Sequence, residues 1–168
     1  KNYSKKDPRK IFVKDTLKTF SNLSCIIRKS LGTPIVAITG SAGKTSLKEL
    51  IGQSLNTLIP TSYSKKSFNN QYGVPLSLFN IDKKHKVGVF EIGMDKKGEI
   101  NKLSNLIKPD IGVITNISYA HIKNFNSLKG IAEAKAEIIK NITSGGRIIL
   151  NADDVFYNFF KKRALNRG

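Results

Sequence analysis

The sequence predicts an α/β fold, a mostly parallel sheet flanked by helices. Three observations carry that prediction. Short apolar runs alternate with stretches of helical length, a glycine-rich turn joins the run at residues 35–38 to the helix after it, and the apolar runs end on polar residues.

Residues 1–13 read as a basic tail or linker remnant, with a turn at Asp7-Pro8, and residues 14–168 as one domain. Asp15 or Thr16 caps a helix whose apolar stripe includes Leu17, Phe20, Leu23, Ile26 and Ile27; Gly32 and Pro34 end it. Residues 35–38 are continuously apolar, as a strand buried on both faces requires. A helix follows over residues 45–58, and another starts near Gln71 or Pro75, where proline is tolerated in a first turn. Strands are then expected at 87–92, 111–115 and 147–150, and helices at 99–107, 128–142 and 153–163.

A chain of 168 residues suffices for one buried core, and a hydrophobic fraction of 39% argues against disorder. Neither a membrane-length apolar run nor a leading signal segment is visible. The single cysteine, Cys25, has no internal partner for a disulfide, so a cytoplasmic protein is expected, and a monomer. The chain opens Lys1-Asn2-Tyr3, which suggests a piece of a longer product. With 29 Lys+Arg against 12 Asp+Glu the formal charge is +17, a field that attracts polyanions. The basic residues are spread along the chain, and no nucleic-acid module signature accompanies them, so no specific nucleic acid is expected as partner.

The densest chemistry lies at Thr39-Gly40-Ser41-Ala42-Gly43-Lys44-Thr45-Ser46. Between a strand and a helix, glycines let backbone N–H groups turn inward, and the helix start adds positive potential. Lys44 is set to reach the β- and γ-phosphates of a nucleotide and the Thr45 hydroxyl to hold Mg²⁺. Ile38 stands where the longer phosphate-loop pattern has its first glycine, so this is the shortened Gly-x-x-Gly-Lys-Thr form.

Ligands of open parallel sheets bind at the carboxyl ends of strands. Here those ends carry Thr39, Glu91, Thr115-Asn116 and Asn151. Glu91 interrupts an apolar run, so its charge needs either a cation beside the triphosphate or a surface lysine. Lys135 falls inside the apolar stripe of its helix, with Ile131, Ala132, Ile138 and Ile139 three and four residues away. It must snorkel out, find a buried partner or be chemically altered. His121 follows the 111–115 strand as either a surface residue or a metal ligand.

Together with the loop, Asn69-Asn70-Gln71-Tyr72-Gly73-Val74-Pro75, Glu91-Ile92-Gly93 followed by Gly98-Glu99-Ile100, and Ala120-His121 resemble the Mur ligases over about residues 14–155. The segment from Asn69 and the paired Glu-Ile motifs resemble the branch that joins D-alanyl-D-alanine to UDP-N-acetylmuramoyl-tripeptide in peptidoglycan precursor synthesis. The resemblance implies ATP bound by Gly40, Ser41, Ala42, Gly43, Lys44, Thr45, Ser46 and Asn116. It implies one Mg²⁺ on Thr45 and Glu91, a second supported by His121 and a carbamylated Lys135, and substrate near Asn69 and Asn70. Lys44, Lys135 and His121 take the catalytic roles, and amide formation runs through an acyl phosphate. The family's N-terminal UDP-gripping domain, its C-terminal domain and the later part of its central domain are missing from these residues, so weak ATP binding and no ligation are expected of them alone. Alternatives are another Mur or folylpolyglutamate-type ligase, a P-loop NTPase of non-ligase function, or a basic nucleic-acid module.

Overall fold

Five parallel strands form one sheet in the order β2-β3-β1-β4-β5, in a computed structural model that describes residues 7–119 and 124–167. The strands are β1 (Ile35–Thr39), β2 (Thr61–Tyr63), β3 (Val87–Glu91), β4 (Ile111–Ile114) and β5 (Arg147–Leu150). The helices are α1 (Thr16–Leu31), α2 (Lys44–Asn56), α3 (Gly73–Phe79), α4 (Glu99–Ile107), α5 (Leu128–Lys135) and α6 (Tyr157–Leu165). From β1 the chain moves outward to β2, returns to β3, and crosses to β4 on the other side. The crevice for a ligand therefore opens at the carboxyl end of β1, where strand order reverses.

Alternation along the central strands divides the core into two layers. Ile38, Val89 and Val113 meet Leu47, Ile51 and Leu55 of α2 on one face. Ile35, Ala37, Phe90 and Ile114 face the larger layer, with Val74 and Leu78 of α3, Ile100, Leu103 and Ile107 of α4, and Ile131 and Ala134 of α5. At the sheet end away from the crevice, Asp110 accepts hydrogen bonds from the Ile35 backbone at 2.8 Å, from Arg28 at 3.2 Å and from Thr143 at 3.0 Å. One carboxylate thus ties α1 to β1, to the approach to β4 and to the approach to β5.

Several local expectations hold. Asp15 caps α1 by accepting from the Lys18 amide at 2.9 Å, and Gly32 ends the helix at φ 59°. Pro75 lies in the first turn of α3. Four expectations are corrected. The α1 stripe is only partly buried: Leu23 and Ile26 are exposed, and Phe20 instead stacks on Phe79 with centroids 4.9 Å apart. Strand β2 was not anticipated, because Thr-Ser-Tyr is short and polar; it forms where Tyr63 packs against Gly52, which leaves no room for a Cβ. The helix expected over 128–142 is α-helical only to Lys135 and tightens to 3-10 geometry over Ala136–Asn141. Helix α6 starts at Tyr157 rather than 153, because Asn151 and Asp154 accept from amides two residues on and hold the chain in turns. Among the described residues, no helix is long and apolar enough to cross a membrane.

Candidate functional site at the carboxyl end of β1

The glycine loop lies where β1 ends, and its shape needs its glycines. A Cβ on Gly40 would overlap the Thr115 hydroxyl, and Gly43 opens α2 at φ 78°, a conformation that favours glycine. No side chain caps α2. The first amide to find an acceptor inside the helix is Leu47, bonded to the Gly43 carbonyl, so the preceding amides form a donor cluster at the positive helix end.

The β4 side braces this loop. Asn116 accepts from the Ala42 amide at 3.0 Å and donates back to its carbonyl at 3.3 Å, while its own carbonyl accepts from Ser41. Thr115 donates to the Ala42 carbonyl at 2.7 Å, and the Ser41 hydroxyl bridges to the Ser118 backbone. Asn116 and Ser41, expected to bind nucleotide, thus have loop-bracing contacts in this structure. Ser46 lies exposed in the first turn of α2.

The β3 side carries the charge. Glu91 is 1% exposed and receives hydrogen bonds from Thr45 on Oε2 and from Asn69 on Oε1, both at 2.7 Å. Asn69 fits because position 93 is glycine: a Cβ there would lie 2.8 Å from its amide carbon. Asn70 uses its Oδ1 on the amides of Tyr72 and Gly73, which secures the start of α3. Asn69 and Asn70, expected near substrate, have carboxylate-orienting and helix-capping contacts in this structure.

Two lysines converge on one carbonyl. Lys44 donates to Gly40 O at 2.8 Å and Ser41 O at 3.2 Å, and Lys135, 2% exposed, donates to Gly40 O at 2.9 Å. Burial pushes the Lys44 ammonium below the usual lysine value, against the pull of Glu91. Burial, then the Lys44 charge, lowers Lys135 to about 7. Of the three fates open to Lys135, snorkelling is excluded. Among the described residues its buried partner is a neutral carbonyl. His121 lies outside the described residues.

A cavity of about 320 Å³ connects Lys44 and Lys135 with Asn69, and is lined also by Asn70, Tyr72, Gly93, Met94, Asp95, Glu99 and Lys102 among others. A larger hollow of about 410 Å³ lies between Ala136–Asn141 and α6, away from the loop. Sequence reasoning passed over three groups near the site: Ser64, Ser67 and Lys48, the last fully buried. For Lys48 a signal existed, since it lies on one helical face with Lys44 and Gly52.

A phosphate-type loop at the switch point of a doubly wound sheet, with a buried carboxylate beside it, defines a P-loop α/β domain. Residues 38–168 match the family model described as the Mur ligase middle domain, and the chain belongs to that family. It is 38% identical over 156 residues to the UDP-N-acetylmuramoyl-tripeptide–D-alanyl-D-alanine ligase of Buchnera aphidicola (subsp. Acyrthosiphon pisum), covering 93% of this chain and 34% of that protein. The crystal structure of MurF from Acinetobacter baumannii superposes with a TM-score of 0.89 at 34% identity, over 93% of this chain and 35% of that one. The MurF ligase of Thermotoga maritima, described as in complex with ADP, gives 0.85 at 26% identity, over 98% and 38%. The chain thus spans about a third of the length of the curated relatives it matches.

Proposed function

We propose that this chain is the ATP-handling part of a ligase that joins D-alanyl-D-alanine to UDP-N-acetylmuramoyl-tripeptide. The observation that carries the reading is the convergence of Lys44, Thr45 and buried Glu91 beside the uncapped start of α2. The relatives' names supply the substrates, and the ADP held by the Thermotoga maritima enzyme supports the nucleotide.

In this reading the first-turn amides of α2 receive the nucleotide phosphates, and Lys44 exchanges the Gly40 and Ser41 carbonyls for phosphate oxygens. The tripeptide carboxylate attacks the γ-phosphorus, the bond to the bridging oxygen breaks, and ADP leaves. The amine of D-alanyl-D-alanine then attacks the acyl carbon, loses a proton, and inorganic phosphate departs. The chain contributes position and charge neutralisation, which is most of what phosphoryl transfer demands.

The donor set fits Mg²⁺. Thr45 Oγ1 and Glu91 Oε2 lie 2.7 Å apart, and neighbouring ligands around an octahedral ion at about 2.1 Å sit roughly 3 Å from each other. Among the described residues no group of three His, Cys, Asp or Glu side chains is placed to hold a metal, so Thr45 and Glu91 would hold the ion together with phosphate oxygens and water. Bound there, Mg²⁺ supplies charge neutralisation at the transferring phosphoryl group.

In the same reading Lys135 becomes a carbamate: its neutral amine adds to CO₂, forming an N–C bond and releasing a proton. The remaining N–H keeps the bond to Gly40, and the new anion relieves the repulsion from Lys44. With His121 it would support a second cation. Titration of ATP with Mg²⁺ tests the core of the reading. In Lys44→Ala the affinity is expected to fall roughly 100-fold, the worth of about 3 kcal/mol of charge-assisted hydrogen bonding. Unchanged affinity in that variant would refute the proposal.

A further inference from the structure

Lys48 is a buried cation with no part in the chemistry above. It lies on α2 one turn beyond Lys44, its side chain is fully excluded from solvent, and its three ammonium protons have three acceptors. One is the Glu49 carboxylate; the others are the backbone carbonyls of Ser64 at 2.6 Å and Lys66 at 2.9 Å. Both carbonyls belong to the segment that follows β2 and leads to Asn69. Lys66 within it takes φ 50°, a left-handed conformation that a lysine holds only under constraint.

What that segment touches explains the constraint. The Ser64 hydroxyl accepts from the Glu91 amide at 3.4 Å, and the Ser64 amide donates to Val89 O, so Ser64 fixes the carboxyl end of β3. Ser67 brings its hydroxyl within 3.5 Å of Thr45 Oγ1, and Asn69 donates to Glu91 Oε1. Both groups assigned to the cation, Thr45 and Glu91, are therefore oriented by a strained turn whose carbonyls are gathered by one ammonium. We infer that Lys48 is the positioning residue of the Mg²⁺ site, clamping residues 64–69 to α2 so that Thr45 and Glu91 face one point. This rests on the nucleotide and Mg²⁺ reading of the site. Outer groups that orient metal ligands are typically worth about 10–100-fold in metal affinity.

The experiment measures ATP affinity of the chain by calorimetry in excess EDTA and in excess Mg²⁺, for the unaltered protein, Lys48→Met, Lys48→Arg and Lys66→Pro. The proline acts on the same clamp from an exposed loop position, at a φ it cannot adopt, so it serves if Lys48→Met does not fold. The expected result is that Lys48→Met and Lys66→Pro lose about 10–100-fold of the Mg²⁺ enhancement. ATP affinity in EDTA, which rests on Lys44 and the first-turn amides of α2, stays within about threefold, and Lys48→Arg restores part of the enhancement. A full Mg²⁺ enhancement in folded Lys48→Met, or in Lys66→Pro if the former does not fold, would overturn the clamp. So would an equal loss with and without Mg²⁺, which marks a purely structural role. An unaltered protein whose ATP affinity ignores Mg²⁺ would instead sink the metal reading, and the clamp with it.

Discussion

The α2 side and the α5 side of β1 each bury a lysine, and they treat it in opposite ways. Lys48 on α2 has a complete set of acceptors, a carboxylate included. Among the described residues, Lys135 on α5 has one carbonyl, already shared with Lys44, and that second cation acts on it through space. Burial is nearly the same, at 0% and 2% exposure, so burial does not account for the difference. Compensation does. A fully paired ammonium is a structural strut, whereas at Lys135 burial, then the Lys44 charge, lowers the value to about 7 and favours the neutral amine. In the proposed reading one helix supplies rigidity to the site and the other supplies reactivity.

That contrast makes opposite predictions for the same substitution. Lys48→Met leaves the buried Ser64 carbonyl without its donor and is expected to cost about 3 kcal/mol in urea unfolding. Lys135→Met removes a poorly compensated charge while Lys44 still serves the Gly40 carbonyl, and is expected to stabilise by about 1–2 kcal/mol at pH 6. Destabilisation of similar size in both would erase the distinction.

The pH dependence sharpens it. The folded value for Lys135, about 7, lies below the ordinary 10.5. Between those values the unfolded chain holds the proton and the folded chain does not, so this group makes stability rise with pH from about 7 towards 10. Below 7 both states are protonated and the penalty is constant. In CO₂-free buffer, which keeps Lys135 unmodified, melting temperatures from pH 6 to 9.5 should show the rise in the unaltered protein and a flatter profile in Lys135→Met. The smallest effect concerns Thr39, whose buried hydroxyl has no hydrogen-bond partner among the described residues. Thr39→Val should gain about 1 kcal/mol, and a loss of that size would reveal a partner for the hydroxyl.

Much of this architecture was legible from residue patterns because it depends on local signals. Asp15 and Gly32 bound α1 through capping geometry that a few residues set. Four of the five strands were visible as apolar runs: β1, β3 and β4 are buried on both faces, which admits little else, while β5 shows the same apolar run although it stays half exposed. The loop, Glu91 and the misplaced Lys135 stood out because their residue types conflict with or punctuate those runs. Strand β2 stayed hidden, as a Thr-Ser-Tyr edge is stabilised by its neighbours rather than by its own pattern.

By itself, then, the sequence determined the fold class, the phosphate loop and the family resemblance. Each is written in spacing along the chain: glycines at a strand-to-helix turn, and apolar periods of strand and helix. The tertiary structure alone decided that Lys135 meets Gly40 across 95 positions, that Asn116 braces the loop through Ala42, and that Lys48 holds the turn behind Glu91. Those pairings follow from which strands lie side by side. A lysine's charge, once buried, is settled by the acceptors that the neighbouring strands bring to it.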